Sequence, residues 1–269
     1  KTLGIPVVER AVFLGALLEK YKYPIAVAGT HGKTTTSSML SLVLLAAHKD
    51  PTILIGGELS QIGGNYHIGG NEYLPFEACE YVESFLHFKP FVSIITNIEE
   101  DHLDYFKDLN HIITSFVKFA SLTSDNGCNI VCIDENTTQS IVQNVKKKAV
   151  TYALNNKNAD YTAENITLEK NGCPTFDIFN KDRKVLSVSL NVAGDHNICN
   201  ALGVTAACEF LGIEPEYIKS GLEEFRGAKR RFDRLGKTET GVDVVDDYAH
   251  HPTEIKTTLE TAKKMGYTN

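Results

Sequence analysis

Short apolar runs recur along this chain, each ended by a glycine-rich or polar stretch. Ile25 to Ala28, Thr52 to Ile55, Tyr73 to Phe76, Phe91 to Thr96, Asn129 to Ile133 and Ala149 to Ala153 have the length of buried strands. Longer segments suited to helices alternate with them: an amphipathic stretch from Arg10 to Tyr21, then Thr34 to Ala47, then Ile112 to Leu122. Strands alternating with helices predict a mostly parallel sheet covered by helices, an α/β fold. From Tyr161 to Leu190 the pattern changes. Short alternating runs broken at Asn171-Gly172 and at Asn180 to Asp182 predict a small antiparallel portion. Helices are expected after Ala193 as far as Leu211, over Pro215 to Phe225 and over Pro252 to Met265, with a strand over Val242 to Val245. Gly56 to Gly70 is rich in glycine and has no helical period, so a loop is expected there. Gly227 to Asp233 reads as a linker.

The first strand runs directly into Gly29-Thr-His-Gly-Lys-Thr-Thr35 and then into a helix. Strand, glycine loop, Gly-Lys-Thr and helix make a phosphate cradle. Backbone N–H groups at Gly32 and Lys33 would face an anion, and the helix N-terminus adds partial positive charge. The Lys33 ammonium would meet the outer phosphates, and the Thr34 hydroxyl can ligate Mg²⁺. The common pattern places another glycine five residues before Gly32, where Val27 stands here. The alternative is a tight strand-to-helix turn that binds nothing.

Other residues at strand and helix ends carry two readings each. Glu77 could complete a Mg²⁺ site or simply face solvent at a strand end. His102 follows a buried strand among Glu99, Glu100, Asp101 and Asp104, as a metal ligand, a held cation or a solvated loop residue. Asn197, beside His196, could cap a helix or present its amide to an adenine edge, with Asn200 one turn on. Arg231 suits a γ-phosphate or a surface salt bridge. Asp247 could accept from ribose hydroxyls or cap the helix that starts near Pro252. His250 and His251 could hold a carboxylate substrate or pack at a domain seam. Ligands gather at the carboxyl ends of strands in open α/β sheets, so one shared cleft is expected.

Composition narrows the classes. Hydrophobic content of 42% and charged content of 23% are ordinary for a soluble globular protein. A net charge of −7, without a long basic run, argues against a nucleic-acid partner. No apolar stretch reaches the ~20 residues of a membrane span, so no membrane partner is expected. The six cysteines form no Cys-x-x-Cys pair, and most read as small buried apolar residues in a reducing compartment. With no signal-peptide pattern, a cytoplasmic protein is expected. The chain begins at Lys1 and stops at Asn269 just after a helix, which suggests a segment of a longer protein.

The order of the motifs adds a resemblance. Gly29-Thr-His-Gly-Lys-Thr-Thr35 is followed by Glu77-Ala-Cys-Glu80, Ser84-Phe-Leu-His87 and Thr96-Asn-Ile-Glu-Glu-Asp-His102. Gly194-Asp-His-Asn197, Arg230-Arg-Phe-Asp233 and Asp246-Asp-Tyr-Ala-His-His-Pro252 complete the series. Nearly end to end, this resembles the Mur ligase family. The resemblance implies a UDP-sugar domain that this chain lacks, a central ATP-binding domain over residues 1–228 with a short linker helix, and over 229–269 the truncated start of a C-terminal Rossmann-like domain.

By the same resemblance, Gly29, Thr30, His31, Gly32, Lys33, Thr34 and Thr35 would hold ATP phosphates. His196 and Asn197 would meet adenine, Arg231 the γ-phosphate and Asp247 the ribose. Thr34 and Glu77 would hold Mg²⁺, with Mn²⁺ possible, and His102 a second ion. Lys33, His102, Arg231 and His250 would be the catalytic groups. Cys79 stands where the family has Asp. Lys118 is one residue off the spacing of a carbamoylated lysine found in several relatives, and is not assigned. The implied activity is ATP-dependent amide formation through an acyl phosphate, in peptidoglycan synthesis. The Ser84 to His87 and Thr96 to His102 segments look closest to the alanine-adding members, whose substrates are UDP-N-acetylmuramate and L-alanine. Members that recycle the murein tripeptide are one alternative, and a nucleotide-binding module without catalysis is another. The segment alone is expected to be inactive, and Lys33→Ala to fold normally but lose ATP turnover.

Overall fold

The computed structural model describes residues 5–265; Lys1 and Asn269 lie outside the described residues. Its organising strand is β1 (Tyr23–Ala28). Ile25 and Val27 enter one hydrophobic core, Ala26 and Ala28 the other. Alternate side chains point to opposite faces, so a strand with both faces covered must read as an unbroken apolar run.

Nine further strands complete the sheet: β2 (Ile53–Leu59), β3 (Gly64–His67), β4 (Tyr73–Glu77), β5 (Val92–Ile95), β6 (Cys128–Cys132), β7 (Ala149–Tyr152), β8 (Tyr161–Leu168), β9 (Pro174–Asn180) and β10 (Arg183–Ser189). The order is β10-β9-β8-β7-β6-β5-β1-β4-β2-β3. From β8 across to β2 the pairs are parallel; β3, β9 and β10 add antiparallel edges. The expected α/β class with an antiparallel portion is therefore what forms. β1 lies between β4 on one side and β5 on the other, and the chain crosses from one side to the other between β4 and β5, which opens a crevice at their carboxyl ends.

Helices α1 (Arg10–Leu18), α2 (Lys33–Ala46), α3 (Leu109–Ser121), α4 (Asn136–Asn144), α5 (Asp195–Phe210) and α6 (Pro215–Glu224) cover the two faces. Residues of α2, α5 and α6 fill one core; residues of α1, α3 and α4 join the other. Beyond α6, β11 (Asp233–Lys237) pairs antiparallel with β12 (Asp243–Asp246), and α7 (Pro252–Lys264) follows.

Three expectations change. The glycine-rich segment is not a loop throughout: β2 runs on through Gly56 and Gly57 to Leu59, and β3 pairs back onto it. Its glycines sit in a strand that packs closely on the site, as the Glu77 contact below shows. Helix α4 has only Ile141 and Val142 as large apolar residues, so no apolar stripe announced it. Strand β11 is mostly charged and exposed, and it exists through its backbone pairing with β12.

Packing between α2 and α6 depends on one glycine. A Cβ on Gly221 would lie 2.4 Å from the Val43 Cα. Gly221→Ala should gain about 1 kcal/mol of helix propensity and lose more to forced helix separation. A net destabilisation of about 2 kcal/mol is expected by urea denaturation.

Candidate active site

The loop between β1 and α2 is shaped by the segment after β5. Gly29 has φ +140° and Gly32 has φ +82°, a region that favours glycine. The Thr30 amide donates to the Asn97 carbonyl (3.1 Å), and the His31 amide donates to Asn97 Oδ1 (2.7 Å). Thr96 Oγ1 and Asn97 Nδ2 both donate to the His31 carbonyl, at 2.6 and 3.1 Å. The Glu99 amide donates to Thr30 Oγ1 (2.9 Å). Thr96 and Asn97 therefore fix the loop, a role that their place after a buried strand did not reveal. Gly32 caps α2 without a side-chain bond, and the first turn carries no acid, so its amides remain available to an anion.

Lys33 lies across this loop. Its ammonium donates to the Gly29 and Thr30 carbonyls and to Glu80 Oε2 at 3.0 Å. Glu80 is only 2% exposed, so this is a buried ion pair. Sequence reasoning gave Glu80 no part; its spacing of three from Glu77 was the available signal.

Thr34 and Glu77 meet as expected. Thr34 Oγ1 donates to Glu77 Oε2 (3.2 Å), and Ser37 Oγ donates to Glu77 Oε1 (3.2 Å). The Gly56 amide also donates to Oε1 (2.5 Å), and a Cβ at Gly56 would come within 2.6 Å of Oε2. Mg²⁺ takes oxygen ligands at 2.0–2.1 Å in an octahedron, which sets neighbouring ligands ~2.9 Å apart. The Thr34–Glu77 oxygen pair fits that demand. Cys79, in place of the usual Asp, is exposed and adds no oxygen to the pair.

His102 belongs to a different group. Its ring lies 4.6 Å from the Tyr81 ring, and it offers a ligand atom within 4.8 Å of those of Glu80 and Asp101. It has φ +52°, with its amide bonded to Asp101 Oδ1 at 2.7 Å.

Beside the loop opens a cavity of about 850 Å³. His31, Gly32, Thr35, His196, Asn197, Arg231 and Asp247 line it, whereas Lys33, Thr34, Glu77, His102 and His250 stand outside its lining. Asn197 does not cap α5; Gly194, at φ +102°, holds that place. The Asn197 amide donates to the Ala193 carbonyl (2.7 Å) and its Oδ1 accepts from Asn200 (3.3 Å). Asp247 accepts from the Phe232 and Ala249 amides (2.9 and 2.7 Å) and from Thr258 Oγ1 (3.1 Å). It does not cap α7 either, because His251 Nδ1 accepts there from the Thr253 amide (3.3 Å).

Arg231 pairs with Glu254 at 3.4 Å, and His31 Nδ1 lies 3.2 Å from the same carboxylate oxygen. Burial alone would raise the Glu254 carboxyl. The hydrogen bonds from His31 and the His250 amide, with the nearby Arg231 charge, outweigh burial and bring it down to about 2. Glu254 thus couples loop and α7, which only its place in the first turn of an expected helix hinted at. His250 is exposed, against Tyr248 and 3.6 Å from Glu254. His251 packs at the seam, its ring 4.6 Å from that of His31.

A phosphate loop at a sheet crevice, an oxygen pair behind it and a nucleotide-sized cleft beside it define a nucleotide-binding α/β protein. The chain belongs to the Mur ligase family: the Mur ligase middle domain matches residues 27–208, and the Mur ligase glutamate ligase domain matches 230–269. The curated UDP-N-acetylmuramate–L-alanine ligase of Acetivibrio thermocellus is 50% identical over 267 residues, covering 99% of this chain and 57% of the relative. That of Clostridium perfringens is 48% identical, covering 96% and 56%. The crystal structure of the Thermotoga maritima UDP-N-acetylmuramate–alanine ligase superposes with a TM-score of 0.81 at 33% identity, covering 94% of this chain and 56% of that one. The chain spans little more than half the length of these relatives.

Proposed function

We propose that this chain carries the ATP site of a ligase that joins L-alanine to UDP-N-acetylmuramate in peptidoglycan synthesis. One observation carries the ATP reading. The cleft lined by Asn197, Arg231 and Asp247 reaches the loop at His31, Gly32 and Thr35, next in sequence to Lys33 and to Thr34, whose hydroxyl bonds Glu77. A triphosphate tail and its nucleoside then have adjoining places. The curated relatives named above support the choice of alanine.

In this reading residues 1–228 are the ATP-binding domain and 229–269 begin the C-terminal one. The loop residues Gly29 to Thr35 cradle the phosphates, with His31 and Thr30 held rigid by Asn97 and Glu99. Asn197, with His196, meets adenine, through the amide N–H and oxygen lone pair that Ala193 and Asn200 leave free. Asp247 accepts from ribose hydroxyls. Arg231 turns from Glu254 to the γ-phosphate, and the exposed His250 meets the reacting substrate. Thr34 and Glu77 hold Mg²⁺ or Mn²⁺, and His102 a second ion. Bound there, such ions neutralise triphosphate charge.

The substrate carboxylate attacks the γ-phosphorus, giving an acyl phosphate and ADP. The alanine amine attacks the acyl carbon, and phosphate leaves. The residues' work is positioning and charge compensation. No helix among the described residues is long and apolar enough to cross a membrane. We place the enzyme in the cytoplasm, where ATP is available and thiols such as the six found here stay reduced.

Two measurements test this. ATP with Mg²⁺ at 100 times its Kd should stabilise the chain by about 2.7 kcal/mol, and ATP with chelator by clearly less. No shift with either would reject the site. Full-length protein given UDP-N-acetylmuramate and ATP should release phosphate on adding L-alanine. Release only with the murein tripeptide would select the recycling activity instead. The 269-residue chain alone should release none.

A further inference from the structure

Three side chains from separate segments converge where the loop meets α7. His31 belongs to the phosphate loop, Glu99 follows β5, and His251 precedes α7. One ligand atom of each lies within 4.8 Å of the others. His31 Nε2 stands 3.7 Å, and His251 Nδ1 3.8 Å, from the same Glu99 Oε2.

The far side of each ring decides its tautomer. His31 Nδ1 faces Glu254 Oε1 at 3.2 Å, and an ionised carboxylate only accepts, so Nδ1 carries the proton. His251 Nε2 faces the Glu100 carbonyl at 3.1 Å, so it carries that ring's proton. In the neutral rings the lone pair of His31 Nε2 is then left facing Glu99, while that of His251 Nδ1, on the same side, accepts from the Thr253 amide at 3.3 Å. His31 Nε2 is fully buried and has no hydrogen-bond partner. A buried lone pair facing a carboxylate oxygen at 3.7 Å with no donor between them is repulsive, and a proton or a cation there relieves it.

We propose that His31 Nε2, Glu99 Oε2 and His251 Nδ1 form a site for a zinc-like dication, separate from the Thr34–Glu77 oxygen pair. Two imidazoles and one carboxylate are a known zinc donor set, and imidazole selects zinc, nickel or cobalt over magnesium. Zinc ligands at 2.0–2.1 Å in a tetrahedron stand ~3.3 Å apart, so the two spacings to Glu99 must contract by roughly half an ångström and the rings must approach to the same separation. His251 Nδ1 would release its long bond from the Thr253 amide. The outer partners are those a metal site uses: Glu254 behind His31, the Glu100 carbonyl behind His251, and Thr253 Oγ1 donating to Glu99 Oε2 at 2.6 Å. Because the ligands come from the loop, the β5 end and the α7 start, the ion ties α7 across the cleft mouth.

The test uses the 269-residue chain stripped with chelator and titrated with Zn²⁺ or Co²⁺ at neutral pH. One ion per chain and a raised Tm are expected, with millimolar Mg²⁺ failing to displace the ion. His251→Ala and Glu99→Gln should each weaken Zn²⁺ binding by on the order of 100-fold. Glu99→Gln keeps the side-chain shape and the Thr253 bond, so it serves if His251→Ala does not fold. Bound Co²⁺ should show visible bands without the intense thiolate-to-cobalt band. That band would overturn the proposal by moving the ion to Cys132 and Cys199, whose sulfurs lie 3.6 Å apart. Absence of tight Zn²⁺ binding, or affinity unchanged in Glu99→Gln, would overturn it too.

Discussion

Lys33→Ala should lower ATP-dependent phosphate release by the full-length protein by on the order of 10³-fold, and should also destabilise the fold by about 3 kcal/mol. The first effect follows from losing the ammonium that lies across the loop. The second departs from what the sequence suggests, which is normal folding. Glu80 is buried and its carboxylate is held by the Lys33 ammonium at 3.0 Å. Truncating Lys33 leaves that carboxylate without its cation in a low-dielectric site. The double variant Lys33→Ala/Glu80→Gln separates the two effects, because a neutral amide needs no counter-charge. Its stability, read by urea denaturation, should recover most of the loss, while phosphate release stays down. Recovery of activity in the double variant would mean that Lys33 acts only by neutralising Glu80.

The ion pair also bears on how ATP enters. Lys33 is bonded to two carbonyls of its own loop, Gly29 and Thr30, and to Glu80. For its ammonium to meet a triphosphate, it must share or exchange those partners. Glu80 lies in turn beside Asp101 and His102. A second cation held by His102 would be drawn to the carboxylate that Lys33 now occupies. In the proposed reading, lysine and metal ion would compete for Glu80, and arriving phosphate, which attracts both, would relieve that competition.

What the sequence made legible follows from which signals are local. A buried parallel strand must be a continuous apolar run, so β1, β5 and β6 stood out. The phosphate loop stood out because glycines at positive φ and a following Lys-Thr have few other uses. Helix α4 and strand β11 did not, because one lacks an apolar stripe and the other depends on its neighbour's backbone. The site was legible where partners were single residues at element ends, as with Thr34 and Glu77. It was illegible where the partner comes from a distant segment. Nothing near Lys33 in sequence names Glu80, and nothing near His31 names Glu254 or His251. The sheet order places the ends of β1, β4 and β5 side by side, and the start of α7 meets them through Thr253 on Glu99 and Glu254 on His31.

Gly29→Ala should be the most damaging of the single-methyl changes, with about 4 kcal/mol lost and no ATP-dependent stabilisation left. At Gly29 two penalties act together. The backbone sits at φ +140°, which an L side chain rarely adopts, and a Cβ would lie 2.0 Å from Thr96 Oγ1. Thr96 cannot simply rotate away, because the same hydroxyl donates to the His31 carbonyl at 2.6 Å. Moving it releases the loop at the residue that precedes the Gly32 and Lys33 amides at the start of α2. Gly63→Ala supplies the comparison. It has φ +70° with nothing within 4 Å of the new methyl, so it isolates backbone strain, about 1 kcal/mol. Urea denaturation of both variants should separate them by about 3 kcal/mol. If Gly29→Ala loses no more than Gly63→Ala, the contact with Thr96 does not shape the loop. The loop would then owe its form to β1 and α2 alone, and the segment after β5 would have no part in presenting it to phosphate.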